Sequence, residues 1–465
     1  MFAPRGLGQR WAILIGGDFA CVVAAVYASI ALTDRPGFAL ESLYGPEQVA
    51  ATMVALHLAL MYFQDLYTID HPRTDAWVAA ATMMATGKLA IVLGFVVMAV
   101  PALAVGRVFL VAYATISAVI LVGWRFTANT LFFARFNIGV MALGFSECAP
   151  VLIEELGRCN HLGYRFLGIA TVAGSGLEVR APGTPVQDAR RRSRGENAIA
   201  NLSPRYGVDA LVVLDPVTDP VVVRELVQCR VHGTAVFDFE SFYERISGKL
   251  PVPFIRDTWL MFAPGFGGSQ WRRMLKRLTD ILVSVAIAIV TWPIAIVTAL
   301  AIKLESRGPV FYSQERVGLD GAVFRVLKFR SMRADAENGT GAVWAQNNDP
   351  RVTRVGRIIR RTRIDELPQL LNVLRGDMSF VGPRPERPEI VARLEAEIPY
   401  YQYRHFVRPG LSGWAQVCFP YGATVAESRE KLCYELYYIK NWSLLFDIQI
   451  ILQTVKVVIF GRGAR

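Results

Sequence analysis

Residues 272–307 read RRMLKRLTDILVSVAIAIVTWPIAIVTALAIKLESR, and how this stretch meets a bilayer decides the architecture of the chain. Its apolar part, 281–302, is long enough for a helix to cross about 30 Å of hydrocarbon. Yet Arg272, Arg273, Lys276 and Arg277 precede it and Lys303 and Arg307 follow it, so charge asymmetry names no outer side. Pro293 sits in the middle and removes a helical hydrogen bond. Each half then holds about 11 residues, or about 17 Å of helix, too short to cross alone. Hydropathy by itself reads an ordinary kinked span. The other reading is a re-entrant helix over 276–304 that kinks at Pro293 and returns to the face it entered.

Toward the N-terminus, four more apolar segments fill 11–32, 49–66, 77–105 and 108–126. Each has about the 20 residues a spanning helix needs, and short linkers join them, so an antiparallel four-helix membrane bundle is expected over 1–135. The first segment follows Arg5 and Arg10 without a clean small-residue cleavage site, so it reads as a helix rather than a signal peptide. Arg5 and Arg10 before the bundle, and Arg125 and Arg135 at its end, place both ends in the cytoplasm. Asp18 and Lys88 lie inside apolar segments and are expected to pack between helices. Hydrophobic residues make up 53% of the chain and charged ones 19%, too apolar for an average soluble protein. The formal net charge of +11 suits an anionic lipid surface and anionic substrates. No recognition helix or RNA-binding sheet motif accompanies it, so no nucleic-acid partner is expected.

From 137 to 256 the pattern shortens to β-rich runs alternating with polar helices. Strands are expected at 138–143, 165–172, 208–214 and 235–239, with helices at 150–160 and 221–230. This alternation predicts a small parallel, Rossmann-like α/β domain, bounded at 136–262. Its first turn, Gly144-Phe145-Ser146-Glu147-Cys148-Ala149, lacks the second glycine of a dinucleotide fingerprint, which favours a regulatory or assembly role over cofactor binding. Arg190-Arg191-Arg192-Ser193-Arg194 reads as a basic loop. The six cysteines, Cys21, Cys148, Cys159, Cys229, Cys418 and Cys433, form no CxxC pair and read as reduced, mostly buried thiols.

The last region, 270–465, holds the chemistry. Two strands, one within 308–316 and one within 324–332, end in cations, and the second carries Lys328 and Arg330. Then comes the run from Arg360 to Gln369, in which Arg360, Arg361 and Arg363 crowd the pair Asp365-Glu366. Arg384 stands between Pro383 and Pro385, a rigid setting that suits a phosphate contact. Phosphoryl transfer needs a nucleophile, positive charge on the phosphate oxygens and usually a divalent metal. A carboxylate can be that nucleophile, and the chemistry alone does not choose between Asp365 and Glu366.

These motifs resemble those of the polyprenyl-phosphate glycosylphosphotransferases, the bacterial sugar transferases that start exopolysaccharide and O-antigen synthesis. The resemblance rests on KFRSM at 328–332, DELPQ at 365–369, Asn372-Val373 with Gly376-Asp377-Met378, the Pro383-Arg384-Pro385 loop and YYIKNWS at 437–443. The runs at 242–252 and 416–422 are similar to the exosortase-associated subgroup. The resemblance implies a monotopic α/β catalytic domain on a re-entrant membrane helix, facing the cytoplasm of a bacterial inner membrane. It implies that Asp365 is the nucleophile and that Glu366 holds Mg2+. Arg360, Arg384, Lys328 and Arg330 would bind phosphate, the donor would be a UDP-hexose, the acceptor undecaprenyl phosphate and the leaving group UMP. It also settles the side count: a fifth full span would put 303–465 outside, away from any nucleotide-sugar, so the re-entrant form is expected. Family members often carry Asp where this chain has Glu435, so Glu435 stays outside the expected site. The bundle and middle domain are of a kind that supports a homodimer. Two rival readings are a membrane-tethered nucleotide-binding regulator of polysaccharide export and a direct glycosyltransferase releasing UDP. Apolar positions spaced helically over 444–459 fit either an interfacial or a core helix.

Overall fold

The computed structural model describes residues 5–33, 46–64, 66–67, 75–99, 107–128, 130, 138–144, 146–158, 163–173, 176–180, 191–194, 199, 202–267, 269–333, 351–419 and 424–460. The chain divides into two compact units, 2–246 and 247–465.

The first unit begins with four apolar helices, α1 (Arg5–Thr33), α2 (Pro46–Phe63), α3 (Asp75–Ala99) and α4 (Arg107–Thr127). Each packs on its two neighbours in a ring, α1 on α2 and α4, α3 on α2 and α4. The first, third and fourth are long and apolar enough to cross a membrane; α2 falls short, with its apolar part over Ala50–Phe63. Asp18 is fully buried and accepts the guanidinium of Arg125, which also donates to Leu66 O at 2.9 Å. That pair packs between helices as expected; Lys88 does not. It falls on the exposed face of α3 with Met84, Ile91 and Phe95, because their spacing puts all four on one side of the helix.

The α/β part of this unit contains β1 (Ile138–Leu143), α5 (Ala149–Arg158), β2 (Tyr164–Ala173), β3 (Gly176–Arg180), β4 (Arg191–Arg194), α6 (Leu202–Tyr206), β5 (Ala210–Val213), α7 (Pro220–Val231), β6 (Ala235–Asp238) and α8 (Phe239–Ser247). The sheet order is β4-β3-β2-β1-β5-β6, parallel from β2 to β6. The expectation of a wholly parallel sheet is corrected at one edge, where β3 and β4 run antiparallel. Four residues of the supposed basic loop are therefore a strand. A charged edge strand carries no hydrophobic alternation to betray it, and charge on an edge blocks further pairing. Cys148 and Cys229 are buried; Cys159 lies outside the described residues.

The second unit starts at 247, so the boundary expected at 262 falls inside it. The physical reason is packing: Leu250, Val252 and Ile255 are buried in one core with Leu432, Cys433 and Leu436, and Leu250 N donates to Cys433 O at 2.9 Å. The elements that follow are α9 (Asp257–Phe262), α10 (Gln270–Glu305), β7 (Phe311–Val317), β8 (Val323–Phe329), α11 (Arg354–Arg361), α12 (Gln369–Arg375), β9 (Ser379–Val381), α13 (Pro388–Glu397), β10 (Gly410–Ser412), α14 (Trp414–Cys418), α15 (Val425–Asn441) and α16 (Leu444–Phe460). Helix α10 continues through Pro293 as a single element of 36 residues. Both of its halves pack on the same globular unit. Val283, Ile287 and Ala288 join the main core, and Ala295, Ala299 and Ile302 pack with Phe329 and Ile359. Near its start, Asp280 accepts from Ser379 Oγ and Phe380 N, both at 3.0 Å, and Lys276 bridges Asp280 and Asp447. At its end Arg330 donates to Ser306 O at 2.9 Å.

Helix α16 has a core-facing side and an exposed apolar side. Phe446, Asp447 and Ile450 face the core, while Leu445, Ile448, Leu452 and Val455 form an exposed apolar stripe.

Candidate functional site

The site is assembled where three pieces of backbone end together. The hairpin β7–β8 pairs Tyr312 with Lys328, and Asn372 of α12 locks this ribbon in place. Its fully buried amide accepts from Leu327 N at 3.0 Å and donates to Arg325 O at 2.8 Å, which fixes the neighbouring Lys328. Helix α11 is started by Thr353, whose hydroxyl accepts from Gly356 N, and by Glu305, whose carboxylate accepts from the Arg354 and Val355 amides at 2.7 and 3.0 Å. The helix ends at Arg361, and two positions on Arg363, a non-glycine residue, is held at φ 56°, a costly conformation of the kind found at functional sites. One 3-10 turn, Ile364–Glu366, follows, and it presents Asp365 and Glu366, each only 8% exposed.

Two carboxylates buried side by side cannot both be comfortable as anions, and the cations around them decide which one yields. Burial pushes Glu366 up, but the Arg384 guanidinium at 2.6 Å and the Lys328 ammonium at 3.6 Å outweigh it, helped by Arg363 at 3.7 Å, and hold its carboxyl well below the usual range. Asp365 is pushed up to about 6 by burial and by the Glu366 charge; Lys328, Arg360 and Arg384 pull it part of the way back. Glu366 in turn raises Arg384, whereas burial lowers Lys328 against the pull of the same carboxylate. The pair therefore holds one firmly ionised group and one that is ionised near neutral pH but remains basic.

Arg384 is held from behind. Strands β9 and β10 pair in parallel, and Gly410 N donates to Pro383 O at 2.7 Å. The approach requires glycine: a Cβ on Gly410 would lie 2.1 Å from Gly382 N. Arg404, 4% exposed, donates to Arg384 O at 2.8 Å while its guanidinium grips Glu435 at 2.7 and 2.8 Å. Arg316 donates to Pro385 O at 3.1 Å. A narrow polar recess lies between Arg316, Lys328, Gln369 and Arg384.

The structure thus brings Asp365, Glu366, Lys328, Arg360 and Arg384 together. It does not bring Arg330, whose guanidinium donates to the Ser306 and Arg307 carbonyls and to Ser306 Oγ, all at 2.9 Å. Pro293 is part of the continuous α10. Arg316, Arg404 and Glu435 were not among the expected site residues. Their only signal in the sequence was position: Arg316 ends a strand paired with β8, and Glu435 occupies the place of a family aspartate. No cluster of three or more His, Cys, Asp or Glu residues able to hold a metal occurs among the described residues. Two adjacent carboxylates, one firmly ionised, fit a hard cation only where phosphate oxygens and water complete its shell, which is how Mg2+ is usually held.

A cationic ring around a paired carboxylate, carried on a unit with a helix long and apolar enough to cross a membrane, is an arrangement suited to phosphate-bearing ligands. The sequence profile of the bacterial sugar transferases matches residues 271–461. An Aeromonas hydrophila UDP-N-acetylgalactosamine-undecaprenyl-phosphate N-acetylgalactosaminephosphotransferase is 44% identical over 243 residues, 52% of this chain and 56% of that protein. A Komagataeibacter xylinus undecaprenyl-phosphate glucose phosphotransferase is 46% identical over 53% of this chain and 44% of its own length. The chain thus spans about half the length of these two relatives. A Klebsiella pneumoniae UDP-glucose:undecaprenyl-phosphate glucose-1-phosphate transferase is 33% identical over 339 residues, 70% of this chain and 69% of that protein. The chain belongs to the bacterial sugar transferase family.

Proposed function

We propose that the protein transfers hexose-1-phosphate from a UDP-hexose to undecaprenyl phosphate, releases UMP, and so begins exopolysaccharide synthesis at the cytoplasmic face of a bacterial inner membrane. The observation that carries this reading is the buried Asp365–Glu366 pair with its split ionisation inside a ring of Lys328, Arg360, Arg363 and Arg384. In the first step a carboxylate oxygen of Asp365 attacks the sugar-bearing phosphorus. The bond from that phosphorus to the bridging oxygen breaks, and its electron pair leaves with UMP. In the second, an oxygen of the acceptor phosphate attacks the same phosphorus, the bond to Asp365 breaks, and the carboxylate is regenerated. Asp365 suits both steps, because it is ionised at neutral pH yet more basic than an ordinary aspartate. Arg384, Arg360 and Lys328 offset the charge of the diphosphate and of the leaving UMP. Mg2+ is assigned to Glu366, where with the diphosphate oxygens it would neutralise the donor's charge.

The packing of α10 supports this membrane placement. A straight crossing needs about 20 residues, or about 30 Å, in contact with lipid. In α10 only 289–294 separate the residues of its two halves that pack on the globular unit. A full span would therefore carry catalytic polar groups into hydrocarbon, at a cost of several kcal/mol for each one left unsatisfied. A re-entrant helix that enters and leaves on the catalytic side avoids that cost. Its lipid contact is the exposed face with Ile289, Val290, Ile296, Leu300 and Leu304.

The experiment is UMP release in membranes supplied with undecaprenyl phosphate and, in turn, UDP-glucose, UDP-galactose and UDP-N-acetylgalactosamine. UMP, and a phosphosugar adduct on the peptide containing Asp365 when the acceptor is withheld, are expected. Release of UDP instead, or activity that survives Asp365→Asn, refutes the reading.

A further inference from the structure

Beside the carboxylate pair lies a groove of about 430 Å³ that the phosphate chemistry leaves unused. One wall is the second half of α10, with Val297 and Ala301; the other is α11, with Val355, Ile358 and Ile359; it ends at Ile364, the residue that adjoins Asp365. Its lining is almost wholly carbon, and its volume is that of an ordinary small-ligand site. We infer that this groove seats the first isoprene units of the acceptor lipid and so delivers the acceptor's phosphate to Asp365; this deepens the proposed function and rests on it.

Three observations select that occupant. First, the groove is held open by construction. Glu305 at the end of α10 accepts the first amides of α11, and Ile302 packs with Ile359 and Phe329, so its two walls are tied at one end. Second, α11 divides charge from carbon sharply. Helical spacing puts Arg354, Arg357, Arg360 and Arg361 on one side and Val355, Ile358 and Ile359 on the other. The groove therefore meets only the carbon side of α11, and its end at Ile364 adjoins Asp365, on which the Arg360 and Lys328 charges bear, which matches a chain ending in a phosphate monoester. Third, the groove is bounded by the helix whose outer face is apolar and exposed, so a lipid reaches it sideways from the bilayer without passing through water. Neutral apolar molecules match the walls but not Arg360 and Lys328, which bear on Asp365 next to the groove's end.

The test separates acceptor from donor. In the full-length protein in lipid nanodiscs, Val297→Trp and Ala301→Phe fill the groove. We expect the KM for undecaprenyl phosphate to rise at least about tenfold, while the KM for the UDP-sugar stays within about twofold. Ile296→Trp, on the lipid side of the same helix, should move neither. No change in acceptor KM, or an equal loss toward both substrates, overturns the inference. A measurement on the unaltered protein guards against misfolded variants. A photoreactive isoprenyl phosphate should label 293–301 or 355–364 and be displaced by undecaprenyl phosphate but not by phosphatidylglycerol. Label elsewhere, or equal displacement by phosphatidylglycerol, also overturns it. Labelling needs no donor, so its success in a protein that releases no UMP would leave the groove standing and remove the proposed reaction alone.

Discussion

Replacing Asp365 with asparagine should stop the enzyme and stabilise it. The wild-type carboxyl titrates near 6 when folded against 3.8 as a free side chain, because burial and Glu366 oppose its charge. Between those values the folded chain keeps a proton that the unfolded chain has lost, so stability falls as pH rises through this window. Above pH 6 the loss is complete and amounts to about 3 kcal/mol. Asparagine fills nearly the same space without the charge, so the variant avoids this loss. For a unit of this size about 3 kcal/mol corresponds to roughly 6–12 °C in Tm. Thermal unfolding in nanodiscs at pH 7.5 should show the variant more stable by several degrees, and the gap should close near pH 4, where both side chains are neutral. UMP release should fall by at least about 1,000-fold, because the only nucleophile is gone. A variant that is less stable than wild type at pH 7.5, or that still turns over, would show that Asp365 is not a destabilised anion poised to attack.

Four further outcomes follow from the same geometry. The rate of UMP release should be flat above about pH 6 and drop about tenfold per pH below it, as Asp365 takes up its proton; a flat profile down to pH 4.5 contradicts the assignment. Arg384→Ala removes the 2.6 Å partner of Glu366 and should lower kcat/KM for the donor by about 100-fold or more. Arg330→Ala should lower Tm by a few degrees with donor KM unchanged, because its bonds go to the end of α10; the reverse pattern in a side-by-side assay would exchange the two roles. Chelation by EDTA should abolish UMP release and added Mg2+ restore it, while Tm stays put; activity that survives chelation removes the metal from Glu366.

Much of the architecture is legible without coordinates because it rests on local rules. Helices at 11–32 and 281–302 follow from long, predominantly apolar runs. The parallel strands follow from short β-rich segments alternating with helices, and β1 lies where it was expected, at Ile138–Leu143. The edge strand Arg191–Arg194 was hidden, since four polar residues carry no pattern until β3 lies beside them. The capture of 247–262 by the second unit was hidden too, because it depends on residues near 433, almost two hundred positions along the chain.

At the site, the sequence by itself determined the chemical inventory: two adjacent carboxylates, a proline-locked arginine and a surplus of cations within reach. Which cations arrive was decided only by tertiary structure. Lys328 and Arg330 are two residues apart and in a continuing strand would share a face. Strand β8 ends at Phe329, however, so Lys328 stays beside Glu366 while Arg330 turns back to cap α10. Nor does the order Asp-Glu say which carboxylate is held down and which is left basic. That inequality arises because Arg384 and Lys328, from distant parts of the chain, lie closest to Glu366, and electrostatic energy depends on distance in space rather than along the sequence.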